Sequence, residues 1–114
     1  MRLLNRRSGA VLAGRVERAV SMRARLRGLL GRTSLPEGEA LVIEPCTSIH
    51  TFFMRFPIDA AFLARDGRVL RAISFLRPWR ATRSYPAAAL VVELPAGTLQ
   101  RTQTQEGDAL DFVV

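Results

Sequence analysis

Asp59-Ala60-Ala61-Phe62-Leu63-Ala64-Arg65-Asp66-Gly67-Arg68-Val69-Leu70-Arg71-Ala72-Ile73-Ser74-Phe75-Leu76 holds the clearest local signal in the chain. Asp-Gly between two runs of β-forming residues suits the positive-φ turn of a hairpin. With a two-residue loop, Leu63 pairs with Leu70, Ala61 with Ala72 and Asp59 with Ser74. The other face pairs Phe62 with Arg71, Ala60 with Ile73 and Ile58 with Phe75. A bulged turn shifts this register by one residue. Both faces are largely apolar, so both are expected to be covered, at least in part, by other layers of the fold.

Working outward, Ala40–Glu44 reads as a strand that Pro45 ends. Ser48–Phe56 is aromatic and apolar. If extended, it puts His50, Phe52, Met54 and Phe56 on one face and Ile49, Thr51, Phe53 and Arg55 on the other. Pro57 cannot donate to a ladder and marks a bulge, bend or edge. Downstream, Arg77–Tyr85 is a basic loop containing Pro78-Trp79-Arg80. Ala89–Leu94 is a buried strand with Glu93 inside it. Pro95-Ala96-Gly97 turns the chain, Thr98–Glu106 is polar with room for one helical turn, and Ala109–Val113 is a last strand after Gly107-Asp108.

Near the N-terminus, Arg7-Ser8-Gly9 separates two short runs and predicts a hairpin. Ser21 is a helix cap, and Met22, Leu26, Leu29 and Leu30 follow as one apolar stripe. A helix over residues 20–31 is therefore expected to dock through Leu26 and Leu29, with Gly31 as its stop. Seven to nine short strands and one short helix packed on them predict a mainly β fold, a small sandwich or barrel in a single domain over 1–114.

The 114 residues suffice for one core, burying roughly two thirds of the unfolded surface. One cysteine excludes an internal disulfide, and nothing argues for secretion. No run approaches the ~18 apolar residues of a membrane span. The charged start Met1–Arg7 is followed by too short an apolar run for a signal peptide, so a cytoplasmic location is expected. All 17 basic residues are arginine, as a GC-rich genome favours, and the net charge is +7. Residues 1–36 hold nine Arg against Glu17 alone, whereas 37–114 are nearly balanced. The basic character is thus an N-terminal property.

Arg27-Gly28-Leu29-Leu30-Gly31-Arg32, Ile49-His50-Thr51 with Met54, Pro57-Ile58-Asp59 with Phe62, Asp66-Gly67, Pro78-Trp79-Arg80, Val92-Glu93-Leu94 with Ala96-Gly97, and Gly107-Asp108 occur in one order. That order, from about residue 10 to the end, resembles the domain of unknown function 192 family. The resemblance implies one small domain with a jelly-roll-like β-sandwich, and no established activity or cofactor. Many relatives have a Trp-Met-Asn-Thr type sequence where Phe53-Met54-Arg55-Phe56 stands here. Many also carry an export signal, which is not seen here.

The chemistry gathers around the only histidine. His50 is a general base or ligand contact, or else a hydrogen-bonded structural histidine. Asp59 opens an apolar strand and needs a partner: His50 or Arg80 if functional, backbone N–H groups at the Pro57 bend if structural. Trp79 and Arg80 supply a π face and a donor fork, either as a clamp for a planar anion or as a lid with Arg80 on Glu93 or Asp59. Cys46, four residues before His50, is a structural thiol unless the chain turns between them. One His and no Cys-x-x-Cys speak against zinc, and no phosphate loop or nucleophile elbow is present.

Three functions follow in order of preference. The first is binding of a small anionic molecule or a peptide in a cleft lined by His50, Thr51, Met54, Asp59, Trp79 and Arg80. The second is an enzyme with His50 and Asp59 as a catalytic acid–base pair and Arg80 holding substrate. The weakest is nucleic-acid association through the Arg-rich N-terminal third. No metal or cofactor is expected, and the oligomeric state stays open.

Overall fold

The Asp66-Gly67 hairpin forms one edge of the larger of two sheets, in a computed structural model that describes residues 1–114. Its strands are β5 (Ile58–Leu63) and β6 (Val69–Leu76). Upstream lie β1 (Arg2–Asn5), β2 (Val11–Ala13), β3 (Arg15–Ala19), α1 (Met22–Arg27) and β4 (Glu39–Ile43). Downstream come β7 (Leu90–Pro95), α2 (Thr98–Arg101) and β8 (Leu110–Val113). The larger sheet runs β3-β4-β7-β5-β6 and the smaller β2-β1-β8. Only β3 and β4 pair in parallel. The expected mainly β architecture is therefore the observed one, with eight strands and two short helices.

The hairpin takes the bulged form. Ala64 and Arg68 close a three-residue loop, with Gly67 at φ +92. Leu63 consequently faces Val69, while Phe62–Arg71, Ala61–Ala72 and Ala60–Ile73 pair in the two-residue-loop register. Gly67 is also required by contact: a Cβ there would lie 2.6 Å from the Leu110 carbonyl oxygen. The Leu110 N–H donates to the Gly67 carbonyl, so the hairpin tip docks on β8. A second shift puts Ile58 opposite Leu76, beside Phe75 at φ +53.

Side-chain alternation in β5, β4 and β7 sends residues to two separate cores. Ala61, Leu63, Val42, Val92 and Leu94 meet Leu3, Leu12 and Leu110 of the smaller sheet, with Leu99 of α2. Ile58, Ala60, Phe62, Leu41, Ile43 and Val91 point the other way, where irregular chain supplies Leu29, Leu35, Ile49, Met54 and Ala88. Every residue of β5 is buried, as its apolar faces predict.

Helix α1 corrects one expectation. It is six residues long rather than twelve, with Ser21 as its cap. None of its residues is buried; Met22 is 70% and Leu26 73% exposed. Leu29, just past the helix, is the buried anchor. Gly28 at φ +50 ends the helix, so the periodic stripe drawn through residues 22–30 breaks in the middle.

Candidate functional site

Between α1 and the loop-covered face of the large sheet lies a cavity of about 200 Å³. Its floor is Glu93. On β7, Glu93 stands opposite Leu41 and Ala60 and alternates with Val92 and Leu94, which enter the core between the sheets, so its carboxyl enters the other core around Ile43 and Val91. It is 3% exposed and Oε1 has no hydrogen-bond partner. Burial in apolar surroundings raises the carboxyl pKa from 4.5 to about 7.

Three further groups line the cavity with this carboxyl. The Gly28 backbone passes over it: a Cβ at Gly28 would come 4.0 Å from Oε1. Arg25 brings a buried Nε–H with no acceptor, while its Nη1 donates to the Pro45 carbonyl at 3.2 Å. Cys46 donates its thiol hydrogen to the Ser48 carbonyl at 3.0 Å. Burial pushes that thiol's pKa up, and the nearby Glu93 charge adds to the effect. A thiol held protonated in this way is not an activated nucleophile.

Met54 and His50 form the wall opposite α1. Met54 is buried in the apolar cluster and His50 is exposed at the mouth. The His50 Nδ1 accepts from the Phe52 N–H at 3.2 Å, and its ring stacks on Phe52 with centroids 5.0 Å apart. Thr51, fully buried, stitches this segment to the Trp79 loop. Its hydroxyl donates to the Arg77 carbonyl at 2.5 Å and accepts from the Arg80 N–H at 2.9 Å. Its backbone carbonyl accepts from Trp79 and its N–H donates to the Arg80 carbonyl. His50 itself bridges to Ala81. Trp79 and Arg80 are exposed, and the Arg80 guanidinium reaches only the Trp79 carbonyl, at 3.4 Å, and neither Glu93 nor Asp59.

Asp59 requires a correction. It lies on the opposite face of the sheet from His50, because it alternates with Ile58 and Ala60, which join the His50-side core. Its fully buried carboxylate accepts from the N–H groups of Phe75 (2.9 Å), Gly97 (3.1 Å) and Leu99 (2.8 Å). It thereby caps the start of α2, whose own N-cap Gly97 has no side chain to offer, and pins the Phe75 irregularity. The His50–Asp59 pair expected from their spacing does not form.

Glu93 is legible from sequence as a residue inside its strand, but its place in the cavity with Arg25 and Gly28 is not. One signal was present: a lone acid in the apolar run Leu90–Leu94. No three His, Cys, Asp or Glu side chains cluster as metal ligands.

A family model described as "Uncharacterized ACR", DUF192, matches residues 3–112. The chain belongs to the DUF192 family. A UPF0127 protein of Thermococcus sibiricus is 31% identical, over 98% of this chain and 75% of its own length. One from Thermococcus gammatolerans is 30% identical over the same shares. Among solved structures, a Novosphingobium aromaticivorans protein of unknown function superposes with a TM-score of 0.83 at 21% identity, covering 97% of this chain and 82% of that one. A candidate transcription regulator of Sinorhizobium meliloti gives 0.78 at 26% identity, over 96% and 89%. The two solved structures share this chain's fold. No helix of this chain is long and apolar enough to cross a membrane.

Proposed function

We propose that this DUF192 domain binds a small polar molecule or a short peptide in the α1 cleft. The observation that carries this reading is the Glu93 carboxyl, buried with an unpartnered Oε1 at the cleft floor, in the same cavity as the unpartnered Nε–H of Arg25. Each such group costs about 1–3 kcal/mol when left unsatisfied, more if charged. A ligand that offers a donor to Oε1 and an acceptor to Nε–H recovers both. A planar amide presents the two side by side, which favours a peptide group or a primary amide over a simple anion. Met54 gives the apolar wall and His50 a polar edge at the mouth. Thr51, Trp79 and Arg80 act on the rim: Thr51 positions the loop that carries the other two. Asp59 has no part in this site, and an enzyme resting on a His50–Asp59 pair loses its base-orienting partner.

The test is nitrogen-edited NMR of the protein titrated with acetamide and N-acetylglycinamide. The Arg25 Nε–H and the Gly28 amide should shift in the wild type and stay still in Glu93→Leu. If neither probe moves these signals, or the same shifts persist in Glu93→Leu, the cleft is not the binding site.

A further inference from the structure

The mouth of the cleft is bordered by two flanks that expose large apolar side chains. On α1, Met22 and Leu26 stand one turn apart and are 70% and 73% exposed. On the loop side, Phe53 is 71%, Trp79 55% and Phe52 39% exposed. The loop rings form a continuous ridge: His50 stacks on Phe52, Phe52 lies 6.2 Å from Trp79, and Trp79 lies 4.6 Å from Phe53. Burial does not explain this arrangement, and backbone strain opposes it. Phe53 and Trp79 both sit at φ +66, a conformation bulky residues rarely adopt. Thr51 holds both in place through its carbonyl, which accepts from the Trp79 and Met54 N–H groups. Strain spent on presenting apolar rings to solvent marks a contact surface.

The segments that build the two flanks carry charge of one sign, and Glu17, which shares a groove with Arg23 and Arg27, is already paired with Arg32. Residues 20–31, 46–58 and 75–92, which build both flanks, contain no Asp or Glu. Arg23, Arg27, Arg55, Arg77, Arg80 and Arg83 are exposed, and none belongs to an ion pair, whereas arginines elsewhere pair with acids in seven salt bridges. The complementary partner is therefore anionic and apolar at once. We propose that this face docks on an anionic phospholipid bilayer, the aromatic ridge and Leu26 entering the headgroup region while the arginines meet lipid phosphates. A single-stranded nucleic acid fits less well. Its bases need open ring faces, yet His50 and Phe52 cover one another and Trp79 is packed against Phe53. The aliphatic α1 flank offers nothing to stack on, but it suits an acyl boundary.

The chain's only tryptophan is Trp79, so it reports contact directly. The intact protein is mixed with vesicles of phosphatidylcholine alone or of phosphatidylcholine with phosphatidylglycerol, and both flotation and Trp79 emission are read. Binding and a blue shift are expected only with phosphatidylglycerol, and they should weaken as salt is raised. Changing Arg77, Arg80 and Arg83 together to Gln should lower partitioning about a hundred-fold, at roughly five-fold per arginine near the surface. Phe53→Ser should lower it about ten-fold and reduce the blue shift. All four side chains are exposed, and circular dichroism confirms that the variants fold. Three results overturn the proposal: no flotation with anionic vesicles; flotation unaffected by either variant, which places the contact elsewhere; or Trp79 quenching by a single-stranded oligonucleotide with none of the vesicle response, which assigns the face to nucleic acid.

Discussion

On the face of the large sheet that meets β1, β2 and β8, every buried polar side chain has a partner; on the face covered by α1 and loops, the Glu93 Oε1 and the Arg25 Nε–H do not. The first face is sealed by sheet-on-sheet packing, where the Asn5 amide donates to Thr104 and Asp108 and Asp59 takes three backbone N–H groups. The second is closed by irregular chain that leaves a cavity beside a buried acid. Two continuous pleated surfaces interdigitate and leave no room for an unfilled group, whereas a six-residue helix and loops cover a sheet incompletely. The sandwich side is thus the more completely satisfied of the two, and the α1 side is the one on which the proposed binding site rests.

Asp59→Ala is the strongest way to break that contrast. It removes a charged acceptor from three buried N–H groups and should cost about 4 kcal/mol. Urea midpoints for Asp59→Ala and Asp59→Asn measure it, with Asn retaining part of the stability. A shift of the midpoint equivalent to a surface substitution would mean the carboxylate does not organise α2.

Next in size is a difference in pH response. The Glu93 pKa is raised in the fold from 4.5 to about 7, so the native state holds a proton that the unfolded chain has released. Stability should therefore fall by about 3 kcal/mol as pH rises from 4.5 through 7, then level off. Asp108 is opposite in sign: the hydrogen bond from Arg7 holds its carboxyl well below the usual carboxylate range, so its contribution is lost in acid. Thermal melts across pH should show the neutral-side decline vanish in Glu93→Gln while the acid-side loss remains.

Two leucines sharpen the comparison within the α1 face. Leu29→Ala should cost about 2 kcal/mol, the low end for a buried leucine, because neighbours can relax into the adjoining cleft. Leu26→Ala should stay within about 0.5 kcal/mol, since Leu26 is exposed. Equal midpoint shifts for the two would mean that α1 docks through its own stripe after all.

Much of the fold was legible because its signals are local. Gly67 needs no distant residue to make a turn, and near-continuous apolar runs announce β4, β5 and β7 wherever they end up. The N-terminal hairpin and the single helical turn at Thr98 were readable for the same reason. The α1 stripe misled because periodicity does not reveal where Gly28 stops the helix. Asp59 beside a proline looked like half of a catalytic pair. Whether a carboxylate meets a histidine or three N–H groups depends on the sheet face it occupies.

Charge shows the same division most plainly. Composition by itself determined that the chain is arginine-rich, that its N-terminal third is the basic part and that Glu93 would be buried in an apolar strand. Only the tertiary structure decided which of those charges are free. Arg6 and Arg7 are paired with Asp111 and Asp108 from the far end of the chain, and Arg18 with Glu44. Meanwhile Arg77, Arg80 and Arg83, in the half that looks neutral, remain unpaired around the aromatic ridge. The reason is physical: apolar patterning is a property of short segments, whereas charge pairing joins residues distant in sequence, about a hundred positions apart for Arg6 and Arg7, that only strand order brings together.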